Sequence, residues 1–232
     1  MPPAESLEFP ENFAGVVRLF PLPNLVLFPH AVQPLHLFEP RYIQMLEDAL
    51  AGDQLIAMAL LQPDWESDYE GRPPIYPVVC IGRIIAHARL EDGRYNILLQ
   101  GIRRAALVRE FPPEHPFRLA EVAVLEDDYP ASTAAQRAQV QRDLLRAFQN
   151  IAPQATAAHD QMAELLSRQI PLGTLTDVIA HTLPLRLAFK QQLLAEWNVD
   201  VRASLLLQHV NSLNEGQRPA GEPPFPPEFS PN

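Results

Sequence analysis

Lysine is almost missing from this chain: Lys190 is the only one among 232 residues. That absence excludes two chemistries. A phosphate-binding P-loop needs Gly-Lys followed by Ser or Thr, so that the lysine reaches the terminal phosphates. Lys190 stands between Phe189 and Gln191 instead. A serine–lysine peptidase dyad needs a lysine of lowered pKa beside the nucleophile. Lys190 sits on a predicted helix and reads as a helix-surface lysine.

Cysteine is as scarce. Cys80 is alone, so no disulfide forms within the chain, which fits a reducing compartment. It lies in the apolar run Val78-Val79-Cys80-Ile81, where a free cysteine packs as a small hydrophobe, so a Cys80–His87 nucleophile pair is the weaker reading. The seven histidines show no metal-ligand spacing, and no metal or cofactor is expected. Positive charge is thin: the formal net charge is −10, which disfavours phosphate backbones and hence nucleic acid. Arg103-Arg104 is the only adjacent basic pair. On a strand its members point to opposite faces, and an ion pair is their expected fate. No apolar run approaches the roughly 18 residues that span a bilayer, and Met1 to Glu11 lacks the parts of a secretory signal. A cytoplasmic protein without membrane contact is the expectation.

Proline, by contrast, is plentiful, with 25 residues. It alternates with strand formers in Leu19-Phe20-Pro21-Leu22-Pro23-Asn24-Leu25-Val26-Leu27-Phe28-Pro29 and again through Pro34-Leu35-His36-Leu37-Phe38-Glu39-Pro40. The pattern reads as short strands broken at fixed points. Val16 to Phe20, Val32 to Phe38 and Leu55 to Leu61 are candidate strands. A helix from Pro40 to Leu50 carries Ile43, Leu46 and Leu50 on one face and is capped by Glu39. Gln62 to Pro74 is a long polar loop holding Trp65 and Tyr69. Asp92-Gly93 between two alternating runs is a hairpin signal, because both residues tolerate positive φ. Gly101 marks a bulge or bend before a strand at Ala105 to Arg109, and Arg118 to Leu125 closes the β-rich part.

After Pro130 the period changes. Val140, Leu144, Phe148 and Ile151 recur at helical spacing, with Thr133 and Gln136 as a capping box. Further helices are predicted at Gln161 to Arg168, from a Thr174 cap to Leu183, from Pro184 to Trp197, and after an Asp200 cap. The last would bury Val201, Leu205, Leu206, Val210 and Leu213. The expected organisation is a flexible leader (1–13), a β-rich subdomain (14–128), a helical subdomain (129–214) and a proline-rich disordered tail (215–232).

Three separated motifs carry a family resemblance. The proline-punctuated opening, the segment Leu98-Leu99-Gln100-Gly101-Ile102-Arg103-Arg104-Ala105, and the run Leu175-Thr176-Asp177-Val178-Ile179-Ala180-His181-Thr182-Leu183-Pro184 with Lys190-Gln191-Gln192-Leu193-Leu194 stand in the family's order. Together they resemble the amino-terminal substrate-binding domain of Lon-type ATP-dependent proteases, in a stand-alone form closer to relatives without the ATPase and peptidase parts. The resemblance implies an α+β fold: a six-stranded, barrel-like, PUA-like β subdomain with one helix, then a helical bundle. The family often has Gly after Phe-Pro where this chain has His30, a position where positive φ would be at stake.

The resemblance implies a non-catalytic protein-interaction module that recognises polypeptide segments or a partner protein, such as a separate protease. Phe28, His30, Trp65, Tyr69 and Tyr76 are the candidate binding residues, because loop aromatics anchor interfaces. The alternative class is RNA binding through the small barrel, against which the acidic charge argues. A hydrolase would need a convergent polar cluster, and none is visible.

Overall fold

The strands follow the alternation in the sequence. The computed structural model describes residues 9, 13–68, 71–151 and 170–216. In chain order they form β1 (Val16–Leu22), β2 (Val32–Leu37), α1 (Pro40–Ala51), β3 (Leu55–Leu60), β4 (Val78–Arg89), β5 (Tyr95–Glu110) and β6 (Arg118–Leu125). Four helices come next: α2 (Ala134–Ile151), α3 (Leu172–Thr182), α4 (Leu187–Ala195) and α5 (Val199–Gly216). The expected helix at Gln161 to Arg168 and the proline-rich tail lie outside the described residues.

The six strands run in the order β2-β5-β4-β3-β1-β6, and β5 also pairs with β6. That second pairing closes β5, β4, β3, β1 and β6 into a ring, with β2 added alongside β5. Closure removes the edges that an open sheet would expose. β1 and β3 pair in parallel, with β2 and α1 in the crossover between them.

β5 makes closure possible because it serves two sheets. Its first half pairs with β2 and its second half with β6, while β4 follows both. Between the halves the register slips: Gly82 faces Gly101 but Ile81 faces Arg103, so Ile102 is one residue too many. A bulge of this kind turns the strand and re-aims its side chains. Before it, Tyr95, Ile97 and Leu99 pack on the outer core; after it, Ala105 packs inside the barrel. Gly101 is thus a bulge, as expected, though one continuous strand runs through it. A Cβ there would lie 2.1 Å from the Phe28 carbonyl oxygen. The close approach is fixed by two bonds: Gly101 N–H donates to Ala31 O, and His30 N–H donates to Gly101 O, each at 2.8 Å.

There are two main cores. Val17, Leu19, Leu55, Ala57, Ala59, Val79, Ile81 and Ile102 fill the barrel. A larger core lies outside it and takes in α1, the outer barrel face and the helices, including Leu144, Phe148, Leu175, Ile179, Leu193 and Leu206. β3 is buried on both faces: Leu55, Ala57 and Ala59 point into the barrel, while Ile56, Met58 and Leu60 point to the outer core. Phe9 and Phe13 stack with centroids 4.6 Å apart and pack against the barrel core, so these two leader residues are docked rather than loose. Trp65 also packs against the barrel core, from a short 3-10 turn (Trp65–Asp68) in the long loop.

A buried ion cluster ties the helices to the barrel. Arg104 of β5 makes a bidentate pair with Asp177 of α3, one bond of which is 2.9 Å. It also donates to Leu194 O at 3.0 Å and contacts Asp127 at 3.3 Å. Arg202 of α5 reaches Asp127 at 2.9 Å and Asp177 at 3.2 Å. Arg202 and Asp177 are fully buried, and Arg104 is 3 % exposed. Burial opposes the charge on Arg104, but Asp177 more than offsets it and its pKa is raised. Two guanidiniums face two carboxylates, so the cluster is neutral. Gly173 lets the start of α3 approach it, since a Cβ there would lie 2.4 Å from the Asp127 carboxylate.

The helix ends depart from expectation in ways that share a cause: side chains predicted as caps are used between elements. Thr133 donates to Asp200 at 2.6 Å, and Arg137 pairs with Asp200 at 2.7 Å, joining α2 to α5. α3 starts at Leu172, ahead of Thr174, whose hydroxyl instead meets His30. Asn198, not Asp200, caps α5, accepting from the N–H groups of Asp200 and Val201 at 3.1 Å. α5 buries Val199, Arg202, Ala203, Leu206 and Val210, while Val201 and Leu213 are exposed. Glu39 occupies the cap position of α1 but makes no side-chain capping bond, and its carboxylate pairs with Arg41 at 2.9 Å.

Three stability measurements test this account. Gly101→Ala forces the Phe28–Ala31 turn aside and is expected to cost about 3 kcal/mol in urea unfolding, at the upper end for overpacking; a neutral result would mean that the turn yields freely. Trp65→Ala should cost roughly half of the about 3–5 kcal/mol typical of a fully buried large aromatic, because Trp65 is only partly buried. Asp177→Asn leaves two buried guanidiniums against one carboxylate and should cost about 3–5 kcal/mol, whereas Arg104→Met with Asp177→Leu should cost less than the single change. A double variant less stable than Asp177→Asn would show that the pair contributes more than its own neutralisation.

Candidate functional site

The five residues singled out from the sequence fall in different places. Phe28 is fully buried in the outer core, so its ring presents no surface for binding. Trp65 rests on the barrel core and Tyr76 is partly buried against the outer one. Tyr69 lies outside the described residues. His30 reaches a cleft between the barrel and the helices. Its φ is +67°, so the position where glycine was the expectation does adopt the left-handed conformation.

That cleft has a volume of about 280 Å³ and is lined by His30, Arg103, Asp127, Tyr129, Pro171 and Thr174 among others. His30 Nε2 lies 3.3 Å from the Thr174 hydroxyl, and the Tyr129 hydroxyl accepts from the Gly173 N–H at 3.2 Å. Burial lowers the pKa of His30 and raises that of Tyr129, which keeps both neutral at neutral pH. The charged groups are already committed: Arg104 and Asp127 belong to the buried cluster, and Arg103 lies 3.8 Å from Glu126. The cleft is therefore a polar seam in which His30–Thr174 and Asp127–Arg202 join the two parts of the fold, while Arg103 stays on the barrel side beside Glu126.

A second surface has the opposite character. The β4–β5 hairpin projects past the barrel, and β2 lies along β5, forming a three-stranded face. On it a shallow groove of about 490 Å³ is lined by Pro34, His36, Ala86, His87, Ala88 and Leu98 among others, with no carboxylate, lysine or arginine. Val32 is 43 % exposed, Leu98 38 % and, at the end of β2, Phe38 60 %. Asn96 Oδ1 accepts across the strands from His36 Nδ1–H at 2.8 Å. The alternation that buries Tyr95, Ile97 and Leu99 puts Asn96 and Leu98 on this outer face. None of these residues was a binding candidate from the sequence: His87 was weighed only as a partner for Cys80, and an apolar residue in a strand reads as core. The only signal was Leu98 at an even position where its neighbours required a polar residue.

The remaining candidates for chemistry are structural. Cys80 is fully buried, and burial pushes its thiol pKa far up. Lys190 is not a surface lysine: it is half-buried, its pKa is lowered by burial, and Nζ donates to His181 O at 2.8 Å, where it caps the end of α3. Among the described residues, no group of three or more His, Cys, Asp or Glu could hold a metal ion, and no helix is long and apolar enough to cross a membrane.

Known proteins share this architecture. The N-terminal domain of Mycobacterium avium complex Lon protease superposes with a TM-score of 0.66 at 19% identity, over 84% of this chain and 98% of that one. A Lon N-terminal domain protein from Xanthomonas campestris gives 0.58 at 22% identity, over 83% and 97%. In sequence, "Lon protease 2" of Desulfotalea psychrophila is 30% identical over 194 residues, and that of Myxococcus xanthus 26% over 211. These matches take in 83% and 88% of this chain but 24% of each relative, so the chain spans about a quarter of the length of the proteases it resembles. The profile of the ATP-dependent protease La (LON) substrate-binding domain matches residues 16–212, and the chain belongs to that family.

Proposed function

We propose that this chain is a non-catalytic module that binds polypeptide, and that the uncharged face of β2 and the β4–β5 hairpin is where it does so. One observation carries the reading: an apolar, charge-free strip stands exposed on a chain whose net charge is −10. Exposed apolar patches of this kind mark interaction sites. The family contributes the class of ligand, since its members' domain is described as substrate-binding. Unfolded or partly folded segments expose the side chains that such a strip takes up. ATP hydrolysis and peptide cleavage belong to the larger relatives, and a separate protease is the natural recipient of a captured client. The cleft at His30 is the weaker candidate, because its polar groups are already paired.

The reading is tested with a permanently unfolded protein, such as a reduced and alkylated one, titrated by fluorescence anisotropy. Leu98→Glu and Val32→Glu together should weaken binding about tenfold or more, as expected for losing central apolar contacts. Both side chains are exposed, so the thermal midpoint should move little. Undiminished binding by a folded double variant would move the site elsewhere, and binding abolished by nuclease treatment would favour a nucleic-acid ligand instead.

A further inference from the structure

Among the described strands, β2 pairs with β5 alone, so no described strand takes its other edge, and Val32, Pro34 and His36 are exposed. The hydrogen-bonding phase of that edge is fixed. Gly101 N–H donates to Ala31 O, and the register continues through Gln33 opposite Leu99, Leu35 opposite Ile97 and Leu37 opposite Tyr95. Opposed residues of an antiparallel pair alternate between bonded and non-bonded. The odd-numbered residues from Ala31 to Leu37 therefore spend their backbone groups on β5. Val32, Pro34 and His36 turn theirs outward. Proline is tolerated at Pro34 because the N–H it lacks would have pointed away from β5. Its outward carbonyl accepts from the Gln33 side-chain amide at 3.0 Å, a stand-in for the N–H of a neighbouring strand.

We propose that β2 captures its client by strand addition: an extended, uncharged segment of another polypeptide pairs along this edge and displaces the Gln33 amide from Pro34. This rests on the polypeptide-binding reading above and specifies which segments qualify. The backbone bonds supply affinity without regard to sequence, and alternate side chains of the client widen the apolar strip beside Val32 and Leu98. A helical segment is excluded, because its backbone groups are already satisfied internally. Charge narrows the class further. β2 (Val-Gln-Pro-Leu-His-Leu) carries no carboxylate, lysine or arginine, so it has nothing to pair with a charged client, and the acidic remainder of the chain repels acidic ones. Pro34 is one of the residues that blunt an open edge against unlimited pairing, but the charges that usually accompany it are missing. A second copy of this chain is a poor occupant. Two β2 strands paired antiparallel about their centres would set Pro34 against Pro34, where both donors are missing; a foreign strand forfeits only one.

The intact chain and a soluble acetylated peptide of alternating valine and threonine test this. Amide hydrogen exchange at Val32 and His36 should slow when the peptide is added, while the already bonded Gln33 and Leu35 change little. Pro34→Val restores the missing donor and should tighten binding roughly fivefold, the worth of one hydrogen bond; Val32→Pro removes an outward donor and should weaken it by a similar factor. The exchange measurement needs no substitution, so the idea remains testable if a variant fails to fold. Peptide binding with unchanged exchange at Val32 and His36 overturns strand addition and leaves the polypeptide-binding reading standing. No binding of this peptide or of an unfolded protein overturns both.

Discussion

The neutral cluster of Arg104, Asp127, Asp177 and Arg202 is the constraint on which the arrangement of this fold depends. Dispersed apolar contacts would let the helices settle against the barrel in many ways. Bidentate pairing of Arg104 with Asp177 admits one orientation, and Arg202 adds α5 to the same point. The donor from Arg104 to Leu194 O brings in α4. Charges this deeply buried contribute little net stability, since desolvation offsets most of their attraction. Their effect is on uniqueness: any displacement that separates them leaves a bare charge in an apolar core.

The cluster also explains why the polar cleft and the apolar strip divide their roles. The cleft adjoins the cluster, with Arg104 and Asp127 in its lining. The strip lies at the far end of β5, on the face of the hairpin opposite to the one by which Tyr95, Ile97 and Leu99 pack on the outer core. The strip is thereby remote from the part of the structure that tolerates least change.

Much of the fold was legible in the sequence because it is written in local alternation. The Asp92-Gly93 hairpin, the strand at Arg118–Leu125 and the order of strands before helices follow from period and turn residues. The positive φ at His30 also follows, from the glycine that the family places there. The parallel pairing of β1 with β3 and the closure of β5 onto β6 are non-local, and no periodicity encodes them. The buried face of α5 was misjudged for a specific reason. Arg202 occupies an inward position, so the apolar periodicity there is interrupted by a charge that only its distant partners Asp127 and Asp177 make acceptable. Arg104 and Asp177 each stood in a recognisable motif, but nothing in one dimension joins them across 73 positions. The apolar strip escaped notice because Val32 and Leu98 look like core residues until the strands are placed.

The extra residue at Ile102 acts as a parity switch. Before it the odd-numbered Tyr95, Ile97 and Leu99 face the outer core; Ile102 itself packs in the barrel, and past it the even-numbered Arg104 faces the helices while Ala105 faces the barrel. The separation along the chain between the hairpin and Arg104 is therefore set to a single residue. Losing Ile102 would leave Arg104 opposite Cys80 and still facing Asp177, but Arg103, opposite Ile81, would take the place that Ile102 fills and bring a guanidinium into the barrel core. Sequence drift can alter many side chains of β5, but the count of residues through this point decides whether an isoleucine or a guanidinium fills that place in the barrel.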